Sequence, residues 1–284
     1  MLAGLVAFLL CTPGSAFGLD PNKKISQYIR DSWQSSDGLP SNIVHAIAQT
    51  SDGYIWFGTE VGLARFDGVR FTVFDKATNP QMADNNVQSL IALKSGGLLF
   101  TVYGSTVPLL FRNGHVMSIE CGQDHGAEPD APPTVFEDRN ETIWLIYRKG
   151  LKKVTSNGCQ NYPITLGLKQ STQFTVTQDR EGGLWIGGEN GVYRFENGAF
   201  TRYTDQSAYT LFLDSRGTLW LGTASGIQEL RGKMFVTLAR TAGGIVNMCE
   251  DHDGNIWALA EGRGLYRLHD GKVEIPVLAD FDFF

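Results

Sequence analysis

The sequence repeats itself, and that constrains the fold more than any other feature. The stretch "DGYIWFGTEVGLARFDG", residues 52–68, recurs as "NETIWLIYRKGLKKVTSNG" from Asn140 and "GGLWIGGENGVYRFENG" from Gly182. It returns as "RGTLWLGTASGIQELRG" from Arg216 and "DGNIWALAEGRGLYRLHDG" from Asp253. A divergent copy, "SGGLLFTVYGSTVPLLFRNG" from Ser95, carries Leu99 where the others carry Trp56, Trp144, Trp185, Trp220 and Trp257. Six units of about 35 to 45 residues therefore fill the chain from about 42 to 277. A short unit repeated at a fixed period cannot bury an apolar face alone, so neighbouring copies must stack to build the core.

Each unit breaks into four short runs. In the first, "IVHAIAQT" alternates and is rich in β-branched residues, and a turn follows at Asp52-Gly53. "YIWFGT", "GLARF" and "VRFTVF" come next, the last two separated by Asp67-Gly68. Nothing has helical period. The fold class expected is all-β: a β-propeller of four-stranded antiparallel blades, with six blades recognisable. The recurring tryptophans then sit on second strands and fill the cores between blades. Gly62, Gly150, Gly191, Gly226 and Gly264 open the third strands, where a left-handed or closely approached backbone needs glycine. "ISQYIRDSW", about residues 25–33, stands where a fourth strand would precede the first unit, yet the sixth unit has its own candidate at 272–277. The expectation is a seven-bladed ring truncated at the C-terminus, in which residues 25–33 form the outer strand of the seventh blade. A complete six-bladed ring with a loose N-terminal strand is the alternative.

The 284 residues hold 24 Lys and Arg against 30 Asp and Glu, a net charge of −6 without a basic cluster, which argues against a nucleic-acid partner. The N-terminal "MLAGLVAFLLCTPGSAFGLD" has an apolar run and then small residues, so residues 1–18 are expected to be a signal peptide and 19–284 the propeller. The run is too short for a permanent membrane helix, and the localisation expected is periplasmic or secreted. Removing that segment leaves Cys121, Cys159 and Cys249, an odd count that is neither a disulfide framework nor a metal knuckle. A Cys121–Cys159 bridge and three free thiols both remain open.

With the repeats laid out, "DGYIWFGTEVGLARFDGVRF" and the preceding "DGLPSNIVHAIAQTSDG" resemble the two-component regulator propeller repeat and its connector. The second unit departs by lacking the Trp, and the third by placing Glu141 at the turn glycine. The resemblance implies an exported sensor region of a bacterial membrane receptor. A downstream histidine kinase or diguanylate cyclase would belong to a longer parent protein, which would anchor the propeller to the membrane.

No catalytic constellation stands out. His45, His115, His125, His252 and His269 fall at different phases of the repeat, so neither a metal site nor a cofactor is expected. "EDHDGN", residues 250–255, lacks the spacing of a calcium loop and reads as a turn. The turns before the second and fourth strands are short and alike, and they mark a structural face. The other connections vary, and rigid scaffolds display binding groups on such loops. The candidate ligand-binding residues there are Glu60, Tyr103, Tyr147, Arg148, Glu189, Asn190 and Arg263, and no catalytic residue is assigned. Their chemistry suits a small polar ligand such as a saccharide. The function expected is a non-catalytic ligand sensor; the alternatives are a propeller enzyme, such as a lyase acting on a polar substrate, and a protein-interaction scaffold.

Overall fold

The computed structural model describes residues 32–121, 133–147, 150–156, 158–163, 174–269 and 272–274. The proposed signal peptide, residues 25–31 of the proposed outer strand, and Arg148 lie outside the described residues. The architecture is six four-stranded sheets, each an antiparallel meander in strict chain order. Blade 1 consists of β1 (Val44–Gln49), β2 (Ile55–Thr59), β3 (Gly62–Phe66) and β4 (Phe71–Phe74). Blades 2 to 6 follow with the same pattern over 87–118, 134–163, 175–204, 210–240 and 245–274.

The alternation of a strand sends neighbouring residues to opposite faces, and here each face belongs to a different core. Trp56, 2% exposed, points from β2 into blade 2, where Leu98, Phe100 and Phe111 surround it. Trp144 packs on Leu184, Ile186 and Phe195 of blade 4, Trp185 on Leu211, Leu219 and Leu221 of blade 5, and Trp220 on Ile245, Met248 and Ile256 of blade 6. Leu99 holds the corresponding place between blades 2 and 3, against Val135 and Leu145. Trp56, Trp144, Trp185 and Trp220 are inter-blade core, as their spacing predicts, whereas Trp257 is half-buried. Truncating one to Ala is expected to cost ~3–5 kcal/mol.

The glycines that open third strands have a steric cause. Gly62, Gly150, Gly191 and Gly226 take φ of 155°, 156°, 130° and 149°. A Cβ on Gly191 would run into the carbonyl oxygen of Thr204, and one on Gly226 into that of Ala239. No side chain fits between the third strand and the fourth at that level. Glu141 adopts φ 61° at its turn, so the third blade keeps the turn geometry without the glycine. A disulfide joins Cys121, after the last strand of blade 2, to Cys159 in the outer strand of blade 3, while Cys249 is free and exposed. No helix among the described residues is long and apolar enough to cross a membrane.

Candidate functional site

The two faces of the ring differ in how their loops are built. On one face, between first and second strands, the same hydrogen-bonded turn recurs in every blade. The backbone N–H of Thr50, Leu93, Asp138, Asp179, Asp214 and Asp251 donates to the carbonyl four residues on. In four blades the side chain at that position is an aspartate that also accepts from the tryptophan indole. Asp138, Asp179, Asp214 and Asp251 take the Nε1–H of Trp144, Trp185, Trp220 and Trp257 at 2.9, 2.8, 3.1 and 2.8 Å. In blade 1 the Thr50 hydroxyl accepts from Trp56 at 3.0 Å and donates to Asp52.

The second carboxylate oxygen ties down turn amides, as Asp214 does with Thr218 at 2.7 Å. Burial would raise the pKa of Asp251, but hydrogen bonds from Trp257, Asn255 and the turn amides outweigh it and hold the carboxyl at about 2. Asp179 is also lowered, because Arg194, Trp185 and Gly183 offset its burial. Both oxygens of Asp251 are thus committed to the turn, as the reading of residues 250–255 anticipates. This face is framework.

On the opposite face, the loops between second and third strands meet the connections between blades. Tyr103 N–H donates to Asn86, Ala208 N–H to Gly188 and Glu261 N–H to Gly244, at 2.8, 2.9 and 2.9 Å. The backbone of each loop pair is thereby fixed while its side chains vary. Tyr103 is 57% exposed, and Glu60, Glu189 and Arg263 are also exposed. Asn190 is half-buried, and its carbonyl accepts from Arg202 at 2.8 Å.

Tyr147 departs from the exposed position expected of it. It is buried in the core between blades 2 and 3, with its hydroxyl donating to the Thr106 carbonyl at 3.1 Å. It ends the second strand of blade 3, where the alternation turns it inward toward blade 2.

The candidates other than Tyr147 and Arg148 are shared out among blades 1, 2, 4 and 6, and no hydrogen bond or ion pair among the described residues joins one to another. His45 and His115 lie in blades 1 and 2, His252 and His269 in blade 6, and His125 lies outside the described residues. No three His, Cys, Asp or Glu side chains converge among the described residues. What the variable face offers is exposed carboxylates and exposed aromatic rings, which can hydrogen-bond and stack.

Two further residues of this face escape a reading of the sequence. Tyr209, 45% exposed, lies in the connection from blade 4 to blade 5, over Gly244, where a Cβ would come within 2.5 Å of its ring. The short connection around Tyr209 gives no length signal, unlike the longer ones at 75–86 and 120–132. Gln228, in the third strand of blade 5, donates to Gln206 at 2.7 Å and leaves its buried Oε1 without a partner. Its signal is a glutamine at a position held by Ala64 and Leu109 in blades 1 and 2.

The two component regulator propeller repeat matches residues 38–61 and 202–225. No curated protein sequence matches the chain. Among solved structures, the extracellular domain of BT3049, assigned to a hybrid two component system of B. thetaiotaomicron, has a TM-score of 0.69 and 19% identity. That likeness covers 86% of this chain and 36% of the other, so the chain spans about a third of it. Virginiamycin B lyase from Staphylococcus aureus gives a TM-score of 0.65 at 15% identity, over 83% of this chain and 84% of the enzyme. PorZ, a surface component of the type-IX secretion system of Porphyromonas gingivalis, gives 0.65 at 14%, over 87% and 43%. At such identities the likeness speaks for the fold. With the repeat matched in blade 1 and again across blades 4 and 5, the chain is a β-propeller that carries two copies of the two component regulator propeller repeat.

Proposed function

We propose that this propeller is the extracytoplasmic sensing region of a signalling receptor, and that it binds a small polar ligand on its variable face without transforming it. The observation that carries the reading is the repeat itself, which belongs to two component regulators. The fold likeness to extracellular domains of two component systems supports it. A downstream kinase or cyclase in a parent protein would read out the binding.

The variable face supplies the chemistry for a saccharide: the rings of Tyr103 and Tyr209 to stack on sugar faces, and Glu60, Glu189 and Arg263 to hydrogen-bond hydroxyls. The test is a thermal-shift screen of neutral and anionic oligosaccharides. A compound that raises the melting temperature should lose at least about tenfold in affinity in Tyr103→Ala, because stacking anchors dominate such contacts. Ligands that bind equally well to Tyr103→Ala, Tyr209→Ala and Glu189→Ala would remove this face from the account.

A second reading, an enzyme acting on a polar substrate, has one observation behind it: the likeness to virginiamycin B lyase covers most of both chains. Incubation with virginiamycin B decides between the two. The sensor reading expects the compound intact. Turnover that falls in Glu60→Gln or Glu189→Gln would establish the lyase.

A further inference from the structure

The third strand of blade 5 carries a polar group that the geometry of the propeller does not call for. Gln228 pairs with Leu221, so the two side chains lie on one face of the sheet, against the core between blades 4 and 5. Its counterparts, set by the same pairing, are Ala64, Leu109, Tyr193 and Tyr266, and in blade 3 Lys152. Ala64, Leu109 and Tyr266 are buried there. The place accepts a methyl group, a branched aliphatic chain or an aromatic ring, so packing alone does not select a glutamine.

Gln228 is 4% exposed, and one end of its carboxamide is satisfied: Nε2 donates to Gln206 Oε1 at 2.7 Å. The other end, Oε1, is buried, and no described residue donates to it. A buried carbonyl without a donor is a standing cost to the fold. Such a group persists where its missing partner comes from outside the chain.

The residue that touches Gln228 belongs to the variable face. Gln206 is exposed and lies in the connection from blade 4 to blade 5. The backbone of that connection is pinned. Gln206 N–H donates to Thr204 Oγ1 at 3.2 Å, Ala208 N–H to Gly188 O and Tyr209 N–H to Gly222 O, both at 2.9 Å. The Gln206 side chain, in contrast, is held only through its contact with Gln228. The strands flanking this junction are irregular as well. Pairing of the third strand with the fourth skips Tyr203 in blade 4 and Leu238 in blade 5, while the other described pairings of this kind keep register. Bulges gather beside binding sites, where they re-aim side chains.

We infer that the carboxamide of Gln228 is the anchor for a neutral saccharide at the junction of blades 4 and 5, with Gln206 as its displaceable cap. This rests on the reading of the variable face as a saccharide-binding surface, and it says where on that face specificity resides. A carboxamide offers an acceptor and a donor side by side, which two vicinal hydroxyls match. One hydroxyl donates to Oε1, and its neighbour accepts from Nε2 once Gln206 has turned away. Both carboxamides are uncharged and Asp205 precedes Gln206 in the chain, so a negative charge on the sugar gains nothing here. A sugar lacking either hydroxyl would leave a buried polar group unpaired, and sites built this way discriminate strongly.

Melting temperatures and affinities of two variants of the full chain test it, with cellobiose, lactose and mannobiose as probes. Gln228→Met keeps the volume and removes the unpaired carbonyl, so without sugar it should melt about 2–4 °C above the unaltered chain. It should bind the sugar at least about tenfold more weakly. Gln206→Ala takes the cap away and should bind at least about threefold more tightly. An equal or lower melting temperature in Gln228→Met would mean that the carbonyl is satisfied within the fold. Unchanged or weaker binding by Gln206→Ala would deny the cap, and either result overturns the inference. So does binding that survives in Gln228→Met but is lost in Tyr103→Ala, an outcome that leaves the wider reading standing. If none of the three sugars binds while a charged oligosaccharide does, the neutral anchor is overturned and the wider reading stands. If no saccharide binds, both fall.

Discussion

At the scale of single residues, the aspartate six positions before four of the five blade tryptophans explains how a blade fixes its largest side chain. A buried indole N–H needs an acceptor, and a carboxylate that also gathers turn amides supplies one while fixing the turn. Blade 2 is the informative exception: it has lost donor and acceptor together, with Leu93 and Leu99 both buried in their places. Asp214→Ala should therefore destabilise the protein by about 3 kcal/mol, the upper end for leaving a buried donor unpaired, as read by urea denaturation. The lowered carboxyls also set an acid limit. Asp251 is held at about 2 against an ordinary 3.8, so its contribution is complete above the ordinary value and is lost as pH falls from 3.8 toward 2. Melting temperature should hold steady from about pH 7 to 5 and drop below about pH 4, with a shallower drop in Asp251→Asn. The tryptophans announce themselves in the sequence. Their aspartates stand there equally plainly, but only the hydrogen bonds reveal what the spacing of six is for.

At the scale of the blade, most was legible because alternation and turn chemistry are local. The four runs of the first unit are β1 to β4, and the third-strand glycines meet the close backbone approach expected of them. Gly226→Ala should destabilise by about 2–3 kcal/mol through strain and displacement of the outer strand, whereas Gly68→Ala, with nothing near its Cβ, should cost about 1 kcal/mol. Chemical denaturation of the two variants side by side checks the ordering. Tyr147 shows where local reasoning stops. It sits at a loop in sequence, but the phase of its strand carries it into a neighbouring blade. The Cys121–Cys159 pair was undecidable for the same reason, since its partners meet only when two blades pack. Closing a loop of 38 residues, the bridge is worth about 4 kcal/mol in the chain-entropy account, and reduction with dithiothreitol should lower the melting temperature accordingly.

At the scale of the molecule, the ring separates a regular face from a variable one. One face repeats its hydrogen bonds blade after blade; the other keeps its backbone bonds and changes its side chains. That division was readable from the variation among the six units, because a repeat exposes which positions its own geometry dictates. The identity of the exposed groups was readable only in part: Tyr103 and Glu189 lie in loops that differ visibly, whereas Tyr209 is brought to the same face by its packing over Gly244. Hydrogen–deuterium exchange with and without a saccharide found in the thermal-shift screen tests the division most directly. The account predicts slowed exchange in 59–62, 102–106, 188–191, 205–209, 241–244 and 260–264, with the turns at 50–54, 138–142, 179–183, 214–218 and 251–255 unchanged. Protection confined to those turns, with the variable loops unaffected, would contradict it.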